Sequence, residues 1–319
     1  MDTATASTPS PSAISHQKRE RLSIAVYTVG GSLIAIFQRF LTFSYDSFTI
    51  NACRLSAGAA ALLLIAFVFR RAELQATIRN PAQMRNIAIL ALLGFIPQLL
   101  VVEGLARTPA VIASLLGLLG LPLSIGLAVL IFPDERQAVK GPGFAVGASL
   151  AVGATLGLAL AQGGASIDYT IGVVFAILAT VIGVLTGLLT KRLVITSDPI
   201  CVSGLSTGLS ALLFLAAALV WGDLGAVLSA PAVNNLILFG SGVYGLLIGG
   251  GLYMVIIKRS GLVVARFADL AMPVFTGLFG LVLFGETLSP VQLALGAVLL
   301  AGCALILLRP GSSAASTRE

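Results

Sequence analysis

Stretches of about twenty apolar residues, each bounded by a few polar ones, recur from near residue 22 to residue 308. A hydrocarbon core about 30 Å thick is crossed by roughly 20 helical residues, so the repetition dictates a helical protein with many membrane spans. Composition agrees: 57% of the 319 residues are hydrophobic and only 10% are charged, where a soluble domain carries about 25%. Mean hydropathy is +1.03. These values exclude a soluble enzyme. A transmembrane β-barrel is excluded as well, because its strands alternate with period two over about 10 residues.

Ten spans are predicted, at residues 22–44, 47–69, 86–105, 109–132, 143–162, 170–190, 198–221, 235–257, 262–284 and 289–308. Residues 1–20 open with a Ser-, Thr- and Pro-rich stretch and are predicted as a disordered cytoplasmic tail; residues 310–319 form a second tail. Lys18, Arg19 and Arg21 precede the first span. They resemble the start of a signal peptide, but the apolar run outlasts an h-region and shows no small-residue cleavage site, so it is kept as a span. With the N-terminus inside, fifteen of the nineteen Lys and Arg fall on the cytoplasmic side, and Arg107 is the one basic residue in an outer loop. Both termini are therefore predicted cytoplasmic. A pI of 9.6 is explained by this orientation signal, and no nucleic-acid partner is expected.

The two halves repeat. Pro122 precedes Glu135 by thirteen residues and Pro273 precedes Glu286 by thirteen, with an offset of 151 between the pairs. Asp46-Ser47-Phe48 matches Asp198-Pro199-Ile200, and Gly147 and Gly153 match Gly296 and Gly302. Five spans per copy is an odd number, so the second copy must cross the membrane with opposite orientation. The predicted class is an all-α membrane protein of ten transmembrane helices in two five-helix inverted-topology repeats, residues 21–162 and 163–309.

Gly104-Leu105, Ala113-Ser114-Leu115-Leu116, Leu121-Pro122-Leu123 and Asp134-Glu135-Arg136 resemble a first EamA repeat. Met272-Pro273-Val274, the run from Leu283 to Ser289 through Gly285-Glu286, then Gln292 and Gly296 resemble a second. Over residues 22–308 the chain thus resembles the EamA-type ten-helix transporters of the drug/metabolite transporter superfamily. The resemblance implies gradient-driven transport and leaves the substrate open, since superfamily members resemble exporters of amino acids, drugs and other metabolites.

Glu135 and Glu286 recur in both copies and precede helices, where a carboxylate meets the positive end of a helix dipole, so a structural role is expected. Ser289-Pro290-Val291-Gln292 is a capping box. Arg266 and Asp269 lie at i and i+3 of the ninth span, with Asp269 roughly 10 Å in from the cytoplasmic end. Charges at such depth need a partner or a wet cavity. Pro273 cannot donate to the Asp269 carbonyl. The corresponding residues of the first copy are Leu115 and Leu118, so the duplicated fold does not itself require the pair.

Gln38, Arg39, Asn51 and Arg54 form a second polar group toward the outer side. Here the resemblance implies an arginine early in the second helix, as Arg54 is. Gln98, next to Pro97, is either an interhelical clamp or a cavity donor. Tyr244 is a cavity candidate and Tyr253 an interface anchor. The glycine pairs Gly143/Gly147, Gly153/Gly157, Gly183/Gly187 and Gly245/Gly249 are assigned to tight helix packing. Ser203, Ser206, Thr207 and Ser210 offer a hydrophilic side on the seventh span.

Cys53, Cys201 and Cys303 read as small buried apolar residues. The single histidine, His16, lies in the tail, so no metal and no cofactor are expected. No P-loop is present. The expected function is a secondary transporter, an exporter of a small metabolite such as an amino acid or organic acid. It would sit in a bacterial inner membrane and work by alternating access. The expected partners are the lipid bilayer, the substrate and protons as coupling ion. A broad exporter of amphipathic drugs is the alternative within transport. A membrane enzyme is disfavoured because the sequence holds no nucleophile, acid and base set.

Overall fold

A computed structural model of the chain describes residues 11–131, 142–161, 167–194, 198–253, 255–256 and 262–307. The helices are α1 (Pro11–Leu41), α2 (Ser47–Phe69), α3 (Arg71–Arg79), α4 (Pro81–Arg107), α5 (Ala110–Gly117), α6 (Gly120–Ile131), α7 (Pro142–Leu160), α8 (Ile167–Val194), α9 (Pro199–Trp221), α10 (Gly225–Ser229), α11 (Ala232–Gly245), α12 (Leu262–Phe284) and α13 (Pro290–Leu307). Leu246–Leu252 continues α11 as a π-helical segment. Ten helical stretches among the described residues are long and apolar enough to cross a membrane. Their outward faces carry exposed Leu64, Phe69, Leu219, Trp221 and Val282, as lipid-facing surfaces require.

Four expectations change in detail. Residues 11–20, expected as tail, are helical and extend α1, because Gln17, Lys18, Arg19 and Glu20 are good helix formers that propagate the span backwards. Residues 1–10 and 308–319 lie outside the described residues. The third span starts earlier than expected, at Pro81, behind the added helix α3. The fourth is split into α5 and α6. The eighth ends in the π-helical segment, where Gly249, Gly250 and Gly251 weaken regular helix.

Aspartates set where helices begin. Asp46 accepts the N–H groups of Phe48 and Thr49 at 2.9 and 3.0 Å, and Asp198, its counterpart in the repeat, accepts those of Ile200 and Cys201 at 3.0 and 3.1 Å. Asp46 also takes the Asp223 N–H at 2.9 Å, tying the α1–α2 link to the start of the α9–α11 link. Burial pushes the Asp46 carboxyl up, but hydrogen bonds from Thr49, Asp223 and Phe48 outweigh it and hold it below the usual range.

Tyr45 donates to Asn235 at 2.8 Å, and Asn234 donates to Ser44 at 3.0 Å, on the same face of the bundle. This distal face is opposite the one where α1 begins. On the latter, proximal face, Arg70 lies 3.9 Å from Asp198. Tyr169, near the start of α8, accepts from Gln292, near the start of α13, at 3.2 Å. The first helix of the second half therefore starts distally, whereas α1 starts proximally.

The halves are interleaved. α2 packs on α9, α5 on α12, and α7 on α13, so helices in matching positions of the two halves touch. The α7–α13 crossing depends on glycine: a Cβ on Gly302 would stand 2.8 Å from the Gly147 carbonyl and 2.9 Å from the Ala151 nitrogen. Gly153 and Gly183 are different, since a Cβ on either meets nothing within 4 Å, and neither makes the tight packing expected of it. Gly187 is likewise open, and Gly245 and Gly249 have only ordinary contacts. Gly302→Ala is expected to lower stability by about 1–3 kcal/mol through overpacking. Gly153→Ala should be neutral or gain up to about 1 kcal/mol of helix propensity. Thermal unfolding of the two variants in one detergent checks this ordering.

Candidate functional site

The split between α5 and α6 shapes the site. Pro122 has no N–H to offer Leu118, whose carbonyl instead accepts from the Leu121 N–H at 3.0 Å and the Cys303 thiol at 3.7 Å. Pro273 occupies the matching place in α12, which runs on unbroken. Glycines make the difference: Gly117 and Gly120 flank the break, and Ala268 and Ala271 stand at the corresponding positions. Glycine favours the helix less than alanine by about 0.8–1 kcal/mol per residue.

Beside this break lies a cavity of about 640 Å³, walled by α5, α6, α8 and α12. Its volume falls in the roughly 300–1,000 Å³ range of small-molecule sites. Gly117, Gly183 and Gly187 line one side, and Arg266, Asp269 and Pro273 line another. Ser114, Ser124 and Thr180 add hydroxyls, of which those of Ser124 and Thr180 donate to carbonyls of their own helices at 2.9 Å. Arg266 and Asp269 fall in the first turns of α12, so the charged wall is toward the proximal face.

Both Asp269 oxygens are engaged. Oδ1 accepts from the Tyr27 hydroxyl at 2.7 Å and Oδ2 from Arg266 Nη1 at 3.3 Å. The Tyr27 ring packs 5.6 Å from that of Tyr253, over which the Arg266 guanidinium stands at 6.0 Å. Sequence reasoning found the Arg266–Asp269 pair but missed Tyr27 and left Tyr253 as an anchor. A phenol early in the first span was the available signal, yet which helix it faces is a tertiary fact.

The other candidates sit elsewhere. Arg54 is 7% exposed between α2 and α11, donating from Nε to the Ser241 hydroxyl at 3.0 Å. Asn51 donates to the carbonyls of Ser47 and Gln98 at 3.0 and 3.3 Å, and its Oδ1 is buried without a partner among the described residues. Gln98 is exposed on α4, so its backbone, not its amide, meets Asn51. Pro97 leaves the Leu93 carbonyl without its usual donor, and Thr186 reaches it at 3.4 Å. Tyr244 donates to the Gly30 carbonyl at 2.9 Å, and Gln38 is buried in α1. None of these five lines the described cavity. Ser210 of α9 donates to the Ala91 carbonyl at 3.1 Å, a packing role.

A latch of charged groups ties three segments together on the distal side. Gly285, at φ 66°, ends α12 in the left-handed region that glycine favours, and the Glu286 N–H turns back to the Gly280 carbonyl at 3.1 Å. The Glu286 carboxylate is thereby brought to Arg39 Nε at 2.9 Å and to the Ala110 N–H at 2.8 Å. Arg39 also donates to the carbonyls of Leu105 and Ala106 at 2.6 and 3.0 Å, and its guanidinium lies 5.0 Å from the Phe43 ring centroid. Glu286 was expected at the start of its own following helix. It serves the N-terminus of α5 in the other half instead, because α13 is already capped by Ser289 and Gln292. Its repeat partner Glu135 lies outside the described residues. Pro122 is in α6 as expected.

The EamA-like transporter family model matches residues 22–159 and 170–308. A protein of Haemophilus influenzae described as an uncharacterized transporter is 26% identical over 278 residues, covering 85% of this chain and 91% of that one. A solved crystal structure superposes with a TM-score of 0.52 at 20% identity, covering 92% of this chain and 97% of that one, a likeness of fold. Matched by its model in both halves, this multi-pass membrane transporter belongs to the EamA-like transporter family.

Proposed function

We propose that the protein is a gradient-driven exporter of a small metabolite such as an amino acid or organic acid. In this reading it works by alternating access in a bacterial inner membrane, with both termini cytoplasmic. One observation carries the reading. The cavity holding Arg266 and Asp269 lies toward the proximal face, while the Arg39–Glu286 latch ties α1, the start of α5 and the α12–α13 link together on the distal face. In this reading the distal latch and the proximal cavity belong to one of the two states alternating access needs. The proximal face is the cytoplasmic one under the distribution of Lys and Arg. Protons fit as coupling ion, because Asp269 is an acid in a space whose hydration changes when the cavity switches sides.

The test is uptake and counterflow of radiolabelled amino acids, organic acids and amphipathic dyes in proteoliposomes. Movement of dyes alone would favour the broad-exporter reading, which the apolar lining residues Leu118, Leu121, Val184 and Met272 support. Orientation is checked separately: single cysteines replacing Arg79 and Asp223 should react with impermeant maleimide from opposite sides. Same-side labelling would sink the alternating-access assignment.

A further inference from the structure

We infer that the substrate is a zwitterion with an apolar body, whose size is set by a wall of glycines on α5 and α8; this rests on the cavity being the transport site. Among the described lining residues, Arg266 and Asp269 are the charged ones, one of each sign. Arg39 and Arg54 add no positive charge to the cavity, since Arg39 is engaged in the latch and Arg54 faces Ser241. A free carboxylate would give the site a net negative charge that none of the other lining residues offsets, at a cost that grows as the site is shut off from water. A free amine would leave a net positive one. A zwitterion exchanges partners without changing the net charge: its carboxylate takes Arg266 and its ammonium takes the Asp269 oxygen that Arg266 releases. Tyr27 keeps its bond to the other oxygen throughout, holding the acid in place.

The opposite wall argues for the rest of the molecule. A Cβ on Gly117, Gly183 or Gly187 would meet nothing within 4 Å, so no helix contact requires glycine there. Each nevertheless costs its helix about 0.5–1 kcal/mol relative to alanine. Gly183 and Gly187 are one turn apart on α8 and line the cavity together. The space their missing side chains leave is the room available to an apolar body, flanked by Val184 and Leu270. These glycines are specificity-determining residues.

The test uses full-length protein in proteoliposomes. Counterflow of radiolabelled leucine and alanine is measured, with the amine and the 2-oxo acid of leucine as competitors. Both zwitterions are expected to move, and each competitor to inhibit at least about tenfold more weakly than leucine, a difference near 1.4 kcal/mol. Gly183→Val should cut leucine transport by about tenfold or more while alanine stays within about twofold, because added side-chain volume penalises the larger body. Gly183→Ala and Gly187→Ala, which the uninterrupted helix α8 tolerates, should show the same order with smaller changes. Equal competition by the amine or the 2-oxo acid overturns the zwitterion. So does transport of other compounds but neither zwitterion, an outcome that spares the transporter reading. Equal loss of leucine and alanine in Gly183→Ala, in protein that elutes and unfolds like wild type, overturns the glycine wall. If neither zwitterion, organic acid nor dye moves, the site reading itself falls.

Discussion

Asp269→Asn is expected to reduce proton-driven transport by about ten- to a hundredfold, while the protein still inserts and unfolds cooperatively. The magnitude follows from the bonds involved: hydrogen bonds to charged groups contribute about 1.5–3 kcal/mol each, and 1.4 kcal/mol corresponds to a factor of ten. Asparagine keeps an oxygen for Tyr27 but removes both the ionisable group and the counter-charge of Arg266. In water that would matter little. Here Arg266 would stand beside the cavity on an apolar membrane-spanning helix, with the Tyr253 ring as its remaining described neighbour. Tyr27→Phe separates positioning from charge, because it keeps the ring packing on Tyr253 and removes only the 2.7 Å bond. It should raise the substrate concentration needed for half-maximal transport and leave the pH dependence in place. Asp269→Asn should flatten that pH dependence. An unchanged rate with an unchanged pH profile in purified Asp269→Asn would leave Asp269 and Arg266 as a structural ion pair.

The parts of this molecule that were legible in the sequence are those fixed by short-range physics. Span number follows from run length, and the starts of α2 and α9 follow from Asp46 and Asp198. The capping box at Ser289 and Gln292 was readable for the same reason. Arg266 and Asp269 stood out because two charges three residues apart in an apolar run demand an explanation on any fold. What escaped depends on which helices meet. Tyr27 and Tyr253 are ordinary near-interface phenols until α1 and the segment after α11 converge on α12. Glu286 looks like a cap for its own helix, and only the turn at Gly285 sends it to α5. The glycine pairs show the limit most clearly: Gly147 and Gly183 have the same spacing signature, yet one lies under the Gly302 carbonyl and the other borders an open cavity. The α5–α6 break was in principle readable, by setting Gly117 and Gly120 against Ala268 and Ala271 across the repeat.

Glu286→Gln should open the distal side. The carboxylate does two jobs, pairing with Arg39 and satisfying the orphan Ala110 N–H at the start of α5. Its side chain is 8% exposed and that of Arg39 is 16% exposed, so solvent screens the pair only in part. Removing one partner of a fully buried pair costs about 3–5 kcal/mol; here Arg39 retains the Leu105 and Ala106 carbonyls, so about 2–3 kcal/mol is the reasonable scale. Spent entirely on the closed state, that would shift its ratio to the open state by about 30- to 150-fold. A cysteine replacing Ser114 in the cavity, in a background lacking Cys53, Cys201 and Cys303, reports the change. Impermeant maleimide should reach it from the proximal side in the parent and from the distal side as well in Glu286→Gln. Arg39→Gln should have a smaller effect, because Glu286 still caps α5. Since both substitutions remove the same ion pair, the double variant should fall short of the sum of the single effects. Distal labelling that stays at the parental rate in Glu286→Gln would show that packing, such as Phe43 against Phe284, and not the ion pair, keeps this side shut.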